Sequence, residues 1–173
     1  MKSRMTVSTK VPKFFVSALA LNADRSKFTC GIEPLDRYFR TQVSQDIKRR
    51  VSACFVANDN VGQIAGYYTL ASASVLLSDI PETLAKKLPR YPSVPGVRMG
   101  RLAVSDSFKG KGLGAALLAD ALRRAATAEI AAYALVVDAK DESAAGFYAH
   151  HGFIALPEQP LFLPLATVKS LLD

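Results

Sequence analysis

The chain has 173 residues, half of them apolar, with 22 Lys and Arg against 15 Asp and Glu and a formal charge of +7. Such a length suits one domain with a real core, and no apolar run approaches the ~20 residues of a membrane-spanning helix, which excludes a helical membrane protein. The basic balance argues for an anionic partner, nucleic acid first among them, although excess cation also serves solubility alone.

Residues 1–12 are polar and basic and read as a loose leader. Lys2, Arg4, Lys10 and Lys13 ahead of an apolar run from Phe14 to Leu21 imitate a secretory signal, with Ala18-Leu19-Ala20 as its cleavage site. Ser17 interrupts that run, which is short for a signal core, so Phe14 to Leu19 is expected as a first strand instead. Glu33 as a cap and Pro34 at a first helical position then open a helix to about Ile47, with Leu35, Tyr38, Phe39 and Val43 on one face. Lys48, Arg49 and Arg50 at its end either stabilise the negative helix terminus or present charge to RNA.

Val51 to Ala57 and Val61 to Leu70 read as strands joined by Asn58-Asp59-Asn60, whose residues tolerate left-handed backbone. Tyr67 and Tyr68 fall at the far end of the second strand, on opposite faces. Ser78 to Arg90 is expected as a short helix with Pro81 near its start. Leu84 and Leu88 lie on its buried side, and Lys86, Lys87 and Arg90 form a second basic cluster on the other. Pro89, Pro92 and Pro95 stiffen a loop before a central strand from about Val97 to Val104.

After a glycine-rich turn a helix starts near Gly112, with Leu117, Leu118, Ala121 and Leu122 as its core face. Ala132 to Ala139 is the valine-rich apolar run of a strand covered on both faces. Asp141 or Ser143 caps the next helix, Ala144 to His151, which stops at Gly152. Phe153 to Leu156 and Pro160 to Leu163 are expected as final strands, and Thr167 to Leu172 as a terminal helical turn.

Cys30 and Cys54 sit in apolar surroundings without a partner motif, which fits buried free thiols in a reducing compartment such as the cytoplasm. His150 and His151 are the only histidines, and neighbours on a helix point about 100° apart. No metal site is expected.

The glycine-rich turn carries the strongest chemical signal. Gly110, Gly112 and Gly114 lack a Cβ, so the backbone there takes positive φ and comes close to a ligand. A helix N-terminus follows, offering unpaired N–H groups and partial positive charge. The run Lys109-Gly110-Lys111-Gly112-Leu113-Gly114 therefore suits a pyrophosphate held mainly by backbone, with Lys109 and Lys111 adding charge. Its spacing is neither the dinucleotide fingerprint nor a Walker A loop, and a plain flexible turn is the competing reading.

Lys109-x-x-Gly112-x-Gly114 resembles motif A of the GNAT superfamily of acetyl-CoA-dependent N-acetyltransferases, with lysine where the pattern has Gln or Arg. Ala144 through Phe153, with Phe147-Tyr148 and Gly152-Phe153, resembles motif B. Five blocks narrow the likeness: Phe28-x-Cys30-Gly31-x-x-x-Leu35-Asp36-x-Tyr38-Phe39, Gly66 to Leu70, Gly100 to Val104, the glycine run, and Val137 to Asp141 with Phe147-Tyr148. Together, over nearly the whole chain, they are similar to the GNAT toxins of type II toxin–antitoxin modules.

The resemblance implies an α/β GNAT fold, a mixed, mostly antiparallel sheet flanked by helices in one domain. The sheet splays beside the central strand so that the pantetheine arm of acetyl-CoA lies along Leu102, Ala103 and Val104. A backbone N–H of that strip serves the oxyanion, Tyr148 acts as general acid, and no metal is needed. The implied substrate is the α-amine of aminoacyl-tRNA, whose acetylation stops translation. The implied partners are a ribbon-helix-helix antitoxin, operator DNA only through that complex, and a second copy in a homodimer.

An α-amine titrating at or below ~8 is largely neutral at pH 7, so no strong base is required. Glu33, Asp36 and Glu142 each have a capping or surface explanation. Lys48, Arg49, Arg50, Lys86, Lys87 and Arg90 are the candidates for tRNA phosphates. The rival readings are a GNAT enzyme acting on a small amine or a protein N-terminus, and a catalytically idle co-repressor subunit.

Overall fold

A computed structural model of the chain describes residues 14–158 and 160–172, and the basic leader expected over residues 1–12 lies outside them. In chain order the elements are β1 (Phe15–Ala18), α1 (Glu33–Thr41), α2 (Val43–Lys48), β2 (Ala53–Asn58), β3 (Ile64–Leu76), α3 (Glu82–Ala85) and β4 (Ser93–Val104). They continue with α4 (Leu113–Thr127), β5 (Ala134–Asp138), α5 (Glu142–His150), β6 (Ile154–Ala155), β7 (Pro160–Pro164) and α6 (Leu165–Leu172). One sheet takes the strands in the order β1-β2-β3-β4-β5-β7-β6. Only β4 and β5 run parallel, and every other neighbouring pair is antiparallel. The mixed, mostly antiparallel sheet flanked by helices is the one expected.

Alternation along the strands divides the core between two faces. On one face Tyr68, Met99, Val137 and Tyr148 cluster with Leu117 and Leu118 of α4. On the other, Phe28 and Tyr67 cluster with Phe39 of α1 and Val43 of α2, while Val75, Val94, Val136 and Phe162 form a separate cluster near α3. Tyr67 and Tyr68 thus face opposite ways as expected. They lie in the first half of β3, however, because that strand runs on past Leu70 to Leu76.

The single helix expected from Pro34 to Ile47 is two. Gln42, at φ −123° and ψ −29°, interrupts it, yet Tyr38, Phe39 and Val43 are all buried. Ile32 occupies the N-cap and Glu33 makes no cap. Asp36 serves the entrance instead, accepting the Cys30 N–H at 2.8 Å and the Thr29 hydroxyl at 3.3 Å.

The helix expected over Ser78 to Arg90 shrinks to the single turn of α3. Pro81 disfavours helical backbone in the residue before it, so the segment breaks into a 3-10 turn, Leu77–Asp79, and α3. β4 begins at Ser93, earlier than expected, and includes Pro95, which pairs with Ser74 on β3. Across β4, the Pro95 carbonyl still accepts the Tyr133 N–H at 2.8 Å.

The last third follows expectation. Ala134, Leu135, Val136 and Val137 of β5 are buried. Asp141, rather than Ser143, caps α5 by accepting the Ala144 N–H at 2.8 Å, and Gly152 follows the helix at φ +91°.

Candidate active site

β4 has different neighbours along its two edges. Toward β3 it is paired from Ser93 to Val104; toward β5 it is paired only from Gly96 to Met99, opposite Ala134 to Val137. The split begins at a bulge: Met99 faces Leu70 and Arg101 faces Thr69, leaving Gly100 as the extra residue. A bulge bends its strand and sharpens local twist, which carries the end of β4 away from β5.

Backbone polarity in the resulting gap follows from one hydrogen bond. The Ser105 N–H donates to the Ala65 carbonyl on the β3 side at 2.8 Å. N–H directions alternate along a strand, so Ala103 also points toward β3, while Leu102 and Val104 point into the gap. Of Leu102, Ala103 and Val104, expected to line a pantetheine arm, Leu102 and Val104 therefore turn their amides into the gap. Ala103 instead buries its side chain on the α1 face.

The glycine run caps the same end of β4. Gly110 and Gly112 have φ of +77° and +76°, and a Cβ on either would meet nothing within 4 Å, so backbone conformation rather than crowding requires glycine there. Gly114 lies in the first turn of α4 without positive φ, contrary to expectation. A Cβ on it would lie 3.9 Å from Val104 Cγ2 and 4.0 Å from Phe147 Cζ, which marks where β4, α4 and α5 converge.

The first intrahelical bond of α4 runs from the Ala116 N–H to the Gly112 carbonyl. The N–H groups of Leu113, Gly114 and Ala115 are thus free of intrahelical partners, and the first turn holds no acidic residue. This is a fit cradle for a pyrophosphate. Lys109 is engaged elsewhere: its ammonium lies 2.9 Å from Asp106 Oδ1 and donates to the Cys30 carbonyl, tying the loop to the start of α1. Lys111 is exposed, its Nζ 5.3 Å from the Phe108 ring centroid.

Tyr148 projects from α5 into the core beneath the split, 6 % exposed, its ring 5.3 Å from Phe147 and 5.4 Å from Phe153. Burial, and secondarily the charge of Asp138, pushes its hydroxyl up to about 12. It therefore stays a phenol at neutral pH, able to donate a hydrogen bond. Asp138 ends β5 where the gap opens and is ion-paired to Arg98 of β4 at 2.5 Å. Neither residue of that pair was a sequence candidate, because strand register alone brings them together.

The six expected RNA-binding cations are all exposed, but they lie away from the glycine run. Lys48, Arg49 and Arg50 follow α2, where Arg50 lines a shallow groove with Leu70, Ala71 and Ser72 of β3. Lys86, Lys87 and Arg90 lie between β3 and β4, at the opposite end of β4 from the glycines. Among the candidate bases, Glu33 lies 3.8 Å from Arg37, Asp36 is committed to Cys30, and Glu142 sits in the first turn of α5.

Among the described residues, no group of three or more His, Cys, Asp and Glu side chains is arranged to hold a metal ion. The His150 and His151 rings are 5.2 Å apart and inclined at 69°. Cys30 and Cys54 are free and buried. Burial raises both thiols, Cys54 to about 12, which keeps them unreactive. No helix among these residues is long and apolar enough to cross a membrane.

Comparison with known proteins places this geometry. The profile of the acetyltransferase (GNAT) family matches residues 20–153. A tRNA-acetylating toxin of Mycobacterium tuberculosis is 36% identical over 144 residues, which cover 82% of this chain and 85% of the relative. The structure of AtaT complexed with acetyl-methionyl-tRNAfMet superposes with a TM-score of 0.86 at 30% identity, covering 93% of this chain and 100% of that one. That of a tyrosine-to-phenylalanine mutant of the AtaT toxin bound to the C-terminus of the antitoxin AtaR and acetyl-CoA gives a TM-score of 0.76. There the identity is 27%, over 92% of this chain and 98% of the other.

Proposed function

The chain belongs to the acetyltransferase (GNAT) family, and from that premise we propose that it is the toxin of a toxin–antitoxin module that acetylates the α-amino group of aminoacyl-tRNA. It is an acetyl-CoA-dependent N-acetyltransferase. The observation that carries the mechanism is the open edge of β4, where two amides turned away from β3 meet a glycine-built helix start, with Tyr148 in the core cluster against which Leu102 and Val104 pack.

Each part has a physical task. The N–H groups of Leu102 and Val104 hold the pantetheine arm and stabilise the oxygen as the thioester carbonyl becomes tetrahedral. The first-turn amides of α4, reached across Gly110 and Gly112 and supplemented by Lys111, hold the pyrophosphate. Lys109 shapes that loop through Asp106. As the C–N bond forms and the C–S bond breaks, Tyr148 donates to the departing sulfur. A phenol near 12 holds its proton more tightly than a thiol of ordinary pKa ~8.5. Tyr148 therefore passes its proton to sulfur only as it takes up the one that the acylated nitrogen sheds, and ends unchanged.

The named relatives, the charge of +7 and the exposed cations near α2 and α3 support charged tRNA as acceptor. Acting on such a substrate, the enzyme works in the cytoplasm; we propose further that it is one domain and acts as a homodimer. A ribbon-helix-helix antitoxin neutralises it and carries it to operator DNA. The test is to incubate the protein with radiolabelled acetyl-CoA and charged or uncharged tRNA. Label on charged tRNA alone is expected. Label on small amines or protein N-termini without RNA would replace the acceptor, and no transfer with no growth defect would make the chain an idle co-repressor. Purification with the antitoxin gene co-expressed, followed by operator binding and sizing, tests the partners.

A further inference from the structure

The face of the sheet opposite α4 carries two arginines that simple alternation would separate. Arg98 and Arg101 are three residues apart in one strand, so a regular strand would point them to opposite faces. The extra residue Gly100 resets the alternation. Arg98 pairs with Ala71 of β3, and Arg101 with Thr69, leaving both on the face covered at one end by α1 and α2 and at the other by the cluster near α3.

Their surroundings differ. Arg98 is exposed and ion-paired to Asp138. Arg101 is half-buried, with its Cζ 3.4 Å from the Tyr38 ring centroid. The Tyr38 hydroxyl is itself fixed, donating to Asp46 Oδ2 at 2.8 Å. Of the three half-buried arginines among the described residues, Arg25 donates through Nε to the Phe39 carbonyl while its Nη1 is buried without a partner, and Arg124 donates to the Asp120 carboxylate. Arg101 has no hydrogen-bond acceptor among those residues. A guanidinium held on an aromatic face keeps its planar fork of donors in a set orientation, and those donors, which reach solvent, are free to meet an incoming anion.

We propose that Arg101, seated on Tyr38, is the subsite for a backbone phosphodiester in the single-stranded 3′ end of the acceptor. The inference rests on charged tRNA being that acceptor. Arg101 immediately precedes Leu102, whose amide lines the gap, so an anion on Arg101 anchors the chain whose terminal amine enters there. A phosphodiester fits better than a free carboxylate because cations continue along the same side. Arg50 borders a groove with Ala71, which is paired with Arg98. Arginine matches phosphate with two parallel hydrogen bonds.

The test compares the unchanged enzyme with Arg101→Met, which keeps aliphatic bulk over Tyr38, and Arg101→Lys, which keeps charge. Three readouts are taken: acetylation of charged tRNA, acetylation of an amino acid methyl ester, and inhibition by a short oligoribonucleotide ending in CCA. Arg101→Met is expected to raise KM for charged tRNA and the inhibition constant of the oligonucleotide together, roughly 10- to 100-fold. It should leave acetyl-CoA affinity, saturated kcat and turnover of the phosphate-free ester unchanged, with Arg101→Lys intermediate. Equal loss on ester and tRNA, or unchanged KM and inhibition, would overturn the subsite while leaving the acceptor assignment standing. Failure of the unchanged enzyme to label charged tRNA removes that assignment, and the subsite with it.

Discussion

The two edges of β4 teach what each part of the sheet is for. Against β3 the strand is paired from end to end, and the elements around that edge are bound by polar clamps. Tyr68 on β3 donates to Asp120 on α4, which also accepts from Arg123 and Arg124 at 2.9 and 2.8 Å. Arg124 in turn lies 4.3 Å from the Phe55 ring on β2. Against β5 the pairing stops at Met99, and beyond that residue lie open backbone, glycine and one buried phenol. The closed edge holds polar groups that satisfy one another; the open edge holds polar groups waiting for a ligand. Substitutions on the first should melt the protein, and on the second should stop it working without melting it.

The largest expected effect lies on the open edge. Tyr148→Phe removes a hydroxyl that makes no hydrogen bond among the described residues, so the melting temperature and acetyl-CoA affinity should hold while kcat falls about 10²- to 10⁴-fold. Calorimetric titration beside steady-state kinetics separates the two. A parallel loss of acetyl-CoA binding would blur the distinction between the edges.

Next comes the closed edge. Burial alone pushes the Asp120 carboxyl up, but hydrogen bonds from Tyr68, Arg124 and Arg123 together outweigh it and hold the group below its ordinary value. Its contribution to stability is thus complete above the ordinary carboxyl pKa of ~3.9 and is lost as pH falls through the lower folded value. Asp120→Ala should cost roughly 2–4 kcal/mol, or about 5–15 °C of melting temperature, with saturated kcat nearly intact. Thermal melts from pH 3 to 7 should show that the deficit of Asp120→Asn narrows only at the acid end.

A smaller contrast lies within the glycine run. Gly112→Ala must adopt positive φ, at a cost of ~1–3 kcal/mol, and should weaken acetyl-CoA about tenfold. Gly114→Ala has helical backbone and only ordinary van der Waals neighbours, so the same titration should show little change. Equal effects at both positions would mean that crowding, rather than backbone conformation, selects the glycines.

The smallest effect is in the pH profile. kcat/KM should rise as the acceptor amine loses its proton, near or below pH ~8. No descending limb should appear up to pH 9, because burial keeps the Tyr148 phenol protonated to about 12. A descending limb at pH 7–8 would identify a different acid.

Much of the open edge was legible in the sequence because its signals are local. The glycine spacing, the Asp141 cap, the Gly152 stop and the valine run each depend on a few neighbouring residues. What was not legible depends on register. The bulge at Gly100 turns Arg101 toward Tyr38, and nothing in Gly-Arg-Leu-Ala-Val requires it. Arg98 and Asp138 are 40 residues apart and meet only because β4 and β5 are parallel neighbours. The break at Gln42 and the collapse of the expected Ser78 to Arg90 helix into one turn show packing and proline overriding a plausible periodicity.

The most direct measurement is residue-resolved amide hydrogen exchange of the free and acetyl-CoA-bound protein. Ala103 and Ser105, which point to β3, should be protected in both states. Leu102 and Val104 should exchange rapidly when free and slow markedly with acetyl-CoA. Protection of Leu102 and Val104 already in the free protein, or no change on adding acetyl-CoA, would contradict an open edge of β4 as the place where the acetyl donor is held.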